Sequence, residues 1–374
     1  MIEETVKEDK RVKKGIAYAL LLALMLLAFN GYAEPVMATV LEHPAPSDFS
    51  YVFCEDADCF WNLPMGVLDE AAIWHAMMEP MTVLKGDQRE ILKIYEQPDT
   101  SSRAVGEVTC ESQGLHILET LDNGWAHVEV YSSSASKSTV KVFAEQIQGY
   151  IKTDKFVVKE PDPTYGILID KLTQTMYVFK EGKLLTELLI STGIPNRDEP
   201  YNETPAGEFM MVSRTGGFWS GNMYCDMGMR INAGILMHEV PCLIDENEKR
   251  NYKPFESALG RKASHGCIRI QGKENKDGIN AAWLWKNLKV GTKVLIWDDV
   301  GRPIIPPDAD TPMYYNPDGG QYYHLDQVCP SVRDKYLPLT EVLYGELDEK
   351  FPKLKQCATC RPPLKMSEIE KQNQ

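Results

Sequence analysis

Residues 262–269 read Lys-Ala-Ser-His-Gly-Cys-Ile-Arg, and this octapeptide decides which fold we predict for the chain. Cys267 directly follows Gly266 and stands two residues after His265, and the apolar run Ile268–Ile270 begins immediately after it. The pattern predicts a tight turn that brings a thiol to the edge of a strand. The glycine lets backbone amides approach a reacting carbonyl closely.

A cysteine at such a turn is chemically useful only as the thiolate, so it needs a base or a positive field nearby. His265 is one candidate base for Cys267. His238, within the apolar run of residues 234–238, is the better candidate, because a base reaches the sulfur through space rather than along the chain. The alternative interpretation is a structural cysteine in a turn.

The octapeptide resembles the signature of the L,D-transpeptidase catalytic domain, which has a histidine, a spacer, Ser/Thr-His-Gly-Cys, a hydrophobic residue, and Asn or Arg. The resemblance extends upstream through residues 166–170, 191–193 and 204–209, and it covers about residues 163–298. The residues that match the signature are His238, Ser264, His265, Gly266, Cys267, Ile268 and Arg269.

This resemblance implies a thioester mechanism on peptidoglycan stem peptides, with no cofactor for the chemistry. Cys267 would attack a carbonyl and release D-alanine, and an amine of a neighbouring stem would then take the acyl group. His238 would be the base, and backbone amides around His265, Gly266 and Cys267 would hold the oxyanion. His265 would either orient the turn and share the proton transfer, or be a structural histidine packed under the loop.

Two further residues of the signature are predicted to bind substrate. Ser264 would hydrogen-bond the base or the loop backbone. Arg269 carries a guanidinium suited to a substrate carboxylate, with a structural salt bridge as the competing role. Some family members carry Asn at that position, so its role stays open.

The spacing between the histidine and the cysteine departs from the family pattern. His238 and Cys267 are farther apart than is usual, and the excess is the polar stretch Leu243–Phe255, which we expect to be a solvent loop at the rim of the cleft. Trp219–Asp226 lies where the family has a mobile flap, with a long surface loop as the alternative.

The length and net charge of the chain limit the number of domains and the kinds of partner that it can have. The 374 residues allow two or three domains, and the 54 acidic and 40 basic side chains give a net charge of −14. Such a surface argues against nucleic-acid binding, which needs a basic stripe, and no nucleic-acid motif is present.

The amino terminus has the layout of an export signal. A basic flank precedes the apolar residues 15–29, and small residues follow at 31–33. Residues 1–33 are therefore expected to be a cleaved signal or an uncleaved anchor through residues 15–33, and both readings stay open. Either places the protein outside the cytoplasm, in the cell wall or anchored to the membrane.

The predicted fold is mainly β, in three folded parts. Residues 34–82 form a linker and a Cys-containing segment, in which the apolar residues between Ile73 and Met81 follow helical spacing. Five short strand signals in residues 83–158 resemble a bacterial SH3-like small barrel that binds the cell wall or serves as a packing spacer. The β-rich catalytic domain at 163–298 and a Cys/His-rich module at 303–374 complete the chain.

The nine cysteines are an odd number, which favours one working free thiol at Cys267 in an exported protein. Cys54 and Cys59 are a plausible pair, and Cys225 and Cys242 are candidates to staple the region around the base.

The C-terminal module carries one histidine and three cysteines, a complete tetrahedral zinc set with a Cys-x-x-Cys pair. A structural zinc ion is favoured, and a disulfide from Cys329 to one cysteine of the pair is the alternative. The four candidate ligands are His324, Cys329, Cys357 and Cys360.

Three functions remain from these observations. The first is an exported L,D-transpeptidase, of the peptidoglycan-biosynthesis and cell-shape class, that cross-links stem peptides. The second is an L,D-carboxypeptidase of the same fold that uses water and trims tetrapeptides. The third is a non-catalytic wall-binding scaffold, which requires an inert Cys267. A papain-like peptidase is disfavoured, because there the cysteine precedes the histidine.

Overall fold

The structure of the chain is a computed structural model that describes Cys54, residues 59–357 and residues 359–373. The predicted export segment and most of the linker after it lie outside the described residues. Within those residues, no helix is both long and apolar enough to cross a membrane.

A short helix and a strand open the described part of the chain. Asp69 caps the helix, because its carboxylate accepts hydrogen bonds of 3.0 and 3.1 Å from two first-turn amides. Ile73 is fully buried, as the helical spacing predicts. Met81 is also buried but belongs to a strand, because Pro80 ends the helix before it. The elements are a 3-10 turn at Phe60–Asn62, α1 (Glu70–Met78) and β1 (Met81–Leu84).

A five-stranded antiparallel sheet follows, and its strands lie where the five strand signals predict them. The strand order is β3-β2-β6-β5-β4, and alternate side chains from all five strands share one apolar core. A sixth strand, β7, returns to pair with β1. SH3-like remains our prediction for this sheet. The strands are β2 (Ile91–Tyr95), β3 (Ala104–Thr109), β4 (His116–Leu121), β5 (Trp125–Ser133), β6 (Phe143–Lys152) and β7 (Phe156–Lys159).

The next region, which contains the octapeptide, is the most strand-rich part of the chain. Its elements are β8 (Tyr165–Asp170), β9 (Thr175–Lys180), β10 (Lys183–Ser191), β11 (Gly207–Met210), β12 (Ser213–Ser220), β13 (Met223–Asn232), β14 (Ile235–Glu239), β15 (Leu243–Ile244), β16 (Arg250–Asn251), α2 (Lys253–Glu256), β17 (Ile268–Ile270), α3 (Ala281–Asn287) and β18 (Lys293–Trp297).

Nine of these strands form one sheet, in the order β11-β18-β8-β9-β10-β17-β14-β13-β12. The strands β8, β9 and β10 form an antiparallel meander, whereas β14 with β17 and β18 with β8 are parallel pairs. Both faces of β8 are covered. Ile167 and Ile169 lie in one apolar cluster, with α3, and Leu168 lies in another, with α1. This double burial explains why β8 reads as a continuous apolar run rather than an alternating one.

The polar insertion after β14 is not a plain solvent loop. Its strands β15 and β16 form a small hairpin, and α2 follows it directly. Residues 245–251 of the insertion are nevertheless all exposed, and the placement of the insertion at the rim of the cleft stays a prediction.

The C-terminal module has its own four-stranded sheet, in the order β21-β19-β20-β22, and its own small core around Met313 and Tyr323. The chain is therefore mainly β throughout its described length, as the sequence predicts. The elements are β19 (Pro312–Tyr315), β20 (Tyr322–His324), β21 (Thr340–Leu343), α4 (Leu347–Lys350), β22 (Lys355–Gln356) and α5 (Met366–Gln372).

Candidate active site

Strand pairing brings the thiol and the candidate base together. In the parallel pair of β14 and β17, His238 lies opposite Arg269. Cys267 immediately precedes β17, whose first residue, Ile268, pairs with Met237. The register thus sets Cys267 level with Leu236, two positions before His238 on the adjacent strand, although 29 positions of sequence separate Cys267 from His238.

The His238 ring is held in one tautomer. It is 2% exposed, and its Nδ1 lies 2.6 Å from the backbone oxygen of Glu239. A carbonyl oxygen only accepts hydrogen bonds, so Nδ1 carries the proton and Nε2 has the free lone pair. Burial lowers the pKa of His238 to about 4, so the ring is neutral at pH 7. A buried neutral imidazole with a free Nε2 is suited to accept a proton from a thiol.

The Cys267 thiol is partly buried at the start of β17. Burial raises its pKa, and this outweighs the Leu236 amide and the two guanidinium groups of Arg269 and Arg230, which favour the thiolate. The two side chains are therefore a neutral thiol and a neutral imidazole at pH 7. Arg230, 4% exposed in β13, is a nearby positive group that the sequence analysis did not identify.

The turn before Cys267 is held from inside by Ser264. The Ser264 hydroxyl donates to the carbonyl of Cys267 and accepts from the Gly266 amide at 3.1 Å. Ser264 is 1% exposed, so of its two predicted hydrogen-bond roles the structure has the one to the loop backbone. A positive φ of 110° at Gly266 is a conformation that glycine adopts without strain.

A second hydroxyl, on Thr204, holds the same turn from outside. It donates to the carbonyl of Gly266 at 2.8 Å and accepts from the Gly193 amide at 2.9 Å. Thr204 is completely buried. The sequence analysis did not identify the contact of this residue with the turn before Cys267. The only sequence signal is its position at the start of the matched stretch 204–209.

These contacts reduce the number of backbone amides that are free to bind an oxyanion. The Gly266 amide already donates to Ser264, whereas the amides of His265 and Cys267 have no acceptor among the described residues. His265 is exposed, so it is not packed under the loop, and that alternative is wrong. The predicted amide cradle thus reduces to the amides of His265 and Cys267.

Arg269 is 6% exposed, and its guanidinium is occupied within the protein. Its Nη1 donates to the carbonyl of Ala263 at 2.9 Å, and the group lies 5.7 Å from the Phe255 ring centre. Among the described residues it makes no salt bridge, so the predicted competing role does not apply. The contact with Ala263 ties Arg269 to the catalytic loop, and a direct contact with substrate stays a prediction.

A buried charge network supports the loop on the side of Lys262, and the sequence analysis missed it. The Nζ of Lys171 lies 2.8 Å from Glu203, 2.8 Å from Asp298 and 3.2 Å from Asp299. Lys262, at the start of the octapeptide, contacts Glu203 at 3.1 Å and Asp299 at 2.6 Å. Pairs so distant in sequence leave no local pattern, so only the fold reveals this network.

The hairpin of β12 and β13 lies beside the candidate base. The Phe218 ring meets the His238 ring edge-on at 5.4 Å, and Trp219 at the tip is 60% exposed. The predicted flap is therefore a paired β-hairpin rather than an unstructured loop. Gly221 at its turn has a positive φ of 59°.

The four predicted metal ligands lie together in the C-terminal module. Pairing of β20 with β22 sets His324 beside Cys357, and one potential ligand atom from each of the four residues lies within 4.8 Å of the others. Cys329 Sγ and Cys357 Sγ are 3.9 Å apart, and Cys360 Sγ is 3.5 Å from His324 Nδ1. Zinc bonds of about 2.3 Å to sulfur and 2.0 Å to nitrogen require similar separations between tetrahedral ligands.

Backbone donors around these sulfurs also fit a metal. The amide of Leu325 donates to Cys360 Sγ at 3.3 Å, and that of Thr359 donates to Cys357 Sγ at 3.4 Å. Donors of this kind stabilise thiolates, the form that binds zinc. The alternative disulfide from Cys329 to Cys357 or Cys360 is not formed.

The remaining cysteines correct part of the sequence analysis. Cys54 and Cys59 are joined by a disulfide, as predicted. Cys225 and Cys242 are both free, so the predicted staple is wrong, and Cys110 is free as well. Cys267 is therefore not the single unpaired thiol of the chain.

Comparisons with known proteins relate part of the chain to one enzyme family. Residues 164–296 match the family model of the YkuD L,D-transpeptidase catalytic domain. The putative L,D-transpeptidase YciB of Bacillus subtilis is 27% identical over 187 residues, which cover 46% of this chain and 88% of that protein.

Two solved structures are similar to parts of the chain. An L,D-transpeptidase from Mycobacterium smegmatis has 14% identity and a TM-score of 0.29, with coverage of 59% of this chain and 92% of that one. One from Xylanimonas cellulosilytica has 21% identity and a TM-score of 0.26, with coverage of 36% of this chain and 61% of that one.

Proposed function

We propose that this chain, whose residues 164–296 form an L,D-transpeptidase catalytic domain, is an exported enzyme that cross-links peptidoglycan stem peptides through a Cys267 thioester. The observation that carries the proposal is the parallel pairing of β14 with β17, which brings the turn of Cys267 beside the strand of His238, with the ring tautomer set by the Glu239 carbonyl. A structural cysteine needs neither a partner imidazole nor an orienting carbonyl.

The acylation step follows from that geometry. His238 Nε2 takes the Sγ proton of Cys267 as sulfur attacks the carbonyl carbon of the donor stem, and the amides of His265 and Cys267 receive the developing oxyanion. When the tetrahedral intermediate collapses, the C–N bond breaks and the imidazolium returns its proton to the leaving amine of D-alanine. A thioester on Cys267 and a neutral His238 result.

Deacylation reuses the same groups. An amine from a second stem peptide attacks the thioester carbon, His238 takes the amine proton, and the Cys267 thiolate leaves and recovers that proton. The product is a new amide cross-link. With water in place of the amine, the same steps yield a trimmed stem and an L,D-carboxypeptidase. The Phe218 ring, edge-on to the His238 ring at 5.4 Å, places an apolar side chain beside the base, and this favours exclusion of water and therefore transpeptidation.

Intact-mass spectrometry tests the proposal directly. The reduced protein without residues 1–33 is mixed with a disaccharide-tetrapeptide, alongside Cys267→Ala and His238→Gln. We expect a wild-type adduct equal to substrate minus D-alanine, absent in Cys267→Ala and formed about 10²–10⁴-fold more slowly in His238→Gln. A carbapenem-type β-lactam should also acylate Cys267.

An amine acceptor added after acylation separates the two reactions. Conversion of the adduct to cross-linked product supports the transpeptidase, and release of trimmed stem alone supports the carboxypeptidase. A folded protein with a free Cys267 thiol that forms no adduct and releases no D-alanine would refute both and leave the wall-binding scaffold.

We also propose that the four-residue cluster of the C-terminal module binds one structural zinc ion through His324, Cys329, Cys357 and Cys360. With four protein ligands no position stays open, so the ion would stabilise the fold and take no part in the chemistry. Metal analysis of purified protein should find about one zinc per chain, and Cys329→Ser should lose it. A metal-free wild type that takes up no added zinc would contradict this assignment.

A further inference from the structure

We propose that the Cys/His module positions the catalytic loop, residues 256–267, through Arg361, the residue directly after the last candidate zinc ligand. This inference rests on the proposed function, because it concerns how the Cys267 turn is held. It gives the module, which lies outside the matched catalytic domain, a role in catalysis as a positioning element.

The contact between module and loop is made at Gly260. A Cβ added at position 260 would overlap Nη1 of Arg361 and lie 2.8 Å from its Cζ, so the guanidinium rests directly on the glycine backbone. Gly260 also has a positive φ of 83°. Only a residue without a side chain permits this close approach.

Gly260 belongs to a segment that is fastened to β10. Its amide donates to the carbonyl of Ile190 at 2.7 Å, and the hydroxyl of Ser191 donates to the carbonyl of Ala258 at 2.7 Å. Four residues later, the Ser264 amide donates to the carbonyl of Thr192 at 3.0 Å. A displacement at Gly260 is therefore transmitted along a short, hydrogen-bonded path to the turn that carries Cys267.

The metal cluster determines where Arg361 lies. Cys357 and Cys360 are both candidate ligands, and the amide of Arg361 donates to the carbonyl of Cys357 at 3.0 Å, which closes the turn between them. Arg361 itself has a φ of 45°, a left-handed conformation that is strained for a non-glycine residue. A zinc ion bound to both sulfurs would hold this turn, and its loss would free the turn to relax and carry the guanidinium away from Gly260.

The environment of Arg361 agrees with an interface position. Arg361 is half-buried, although Arg261, the residue after Gly260, is exposed. The Arg361 side chain is thus partly covered where the module meets the loop.

Arg361→Ala tests the inference while leaving all four candidate ligands in place. Its matched control is Arg333→Ala, an exposed arginine of the same module. Three quantities are measured: zinc content, the rate of Cys267 acylation by the disaccharide-tetrapeptide, and the rate of Cys267 alkylation by iodoacetamide, followed on the Cys267 peptide. We expect Arg361→Ala to keep its zinc and to acylate about tenfold more slowly, because misplacement by about 1 Å costs up to ~10² in rate. Arg333→Ala should match the wild type.

Removal of zinc with a chelator supplies the second arm. Chelation should slow wild-type acylation about as much as Arg361→Ala does, and should slow Arg361→Ala no further. Wild-type rates in Arg361→Ala, or an equal effect of chelation on both proteins, would overturn the inference. If the wild type forms no acyl-enzyme at all, the proposed function fails, and the alkylation rates still decide whether Arg361 and zinc position the Cys267 turn.

Discussion

Replacement of Lys171 by methionine should both destabilise the protein and loosen the catalytic loop. The Lys171 side chain is 1% exposed and lies within 3.2 Å of three carboxylates, on Glu203, Asp298 and Asp299. Without the ammonium, Lys262 is the remaining lysine of the network, and it stands at the start of the octapeptide.

The expected loss of unfolding free energy depends on the three carboxylates that would no longer have Lys171 as a partner. Glu203, Asp298 and Asp299 are 12–21% exposed, so they would be three poorly solvated negative charges beside one cation. Removal of one partner from a buried ion pair costs about 3–5 kcal/mol, and we expect about 3 kcal/mol here because the carboxylates retain some contact with water.

This loss should depend on pH. Burial would raise the pKa of Asp299, but Lys171 and Lys262 outweigh it and lower that pKa. A carboxyl with a lowered folded pKa stabilises the protein above its unfolded pKa, near 4, and this contribution is lost as pH falls through the folded pKa. Because protonated carboxyls no longer need Lys171, the difference between wild type and variant should be largest near pH 7 and shrink toward pH 4.

Urea unfolding followed by tryptophan fluorescence at pH 7 and pH 4 measures both quantities. The matched control is Lys183→Met. The Lys183 side chain is 82% exposed and pairs with Glu70 at 3.3 Å, so its replacement should change the unfolding free energy little. A Lys171→Met loss below 1 kcal/mol, or one equal at the two pH values, would refute the argument from buried charge.

Three further predictions concern the catalytic turn and the reacting pair. Thr204→Val should cost about 1–3 kcal/mol in urea unfolding and lower the acylation rate, since the Gly266 carbonyl and the Gly193 amide both lose a buried partner; an unchanged rate would deny Thr204 a positioning role. Because burial raises the Cys267 pKa, alkylation by iodoacetamide should still accelerate above pH 9, and a plateau near pH 6 would indicate a resting thiolate instead. Because burial lowers the His238 pKa to about 4, kcat/KM for acylation should fall on the acid side of the pH profile with a midpoint near pH 4. A midpoint of that fall near pH 6.5 would contradict a buried neutral ring.

The chemistry of the candidate site can be predicted from the sequence because it depends on residue types within a short stretch. The glycine before Cys267 predicts the tight turn, and the structure has a positive φ there. The candidate metal ligands can be predicted for the same reason, since a Cys-x-x-Cys pair is a local sequence motif. His324 joins it because β20 and β22 pair beside it.

Several predictions fail where a side chain's partner comes from elsewhere in the fold. Composition suggests a disulfide between Cys225 and Cys242, yet both are free thiols. Helical spacing includes Met81 in the stripe of α1, yet Pro80 ends the helix, and pairing with β7 makes Met81 part of a strand.

Residue types and their spacing thus predict the candidate thiol, the candidate base, the mainly β class and the four candidate metal ligands, because each is a local or periodic property of the chain. Tertiary structure alone reveals that Arg269 is buried against Ala263, that Lys171 gathers three carboxylates, and that Arg361 rests on Gly260. These contacts join residues tens to more than a hundred positions apart or depend on burial. Burial and long-range proximity arise only when the sheets pack, so no short stretch of sequence encodes them.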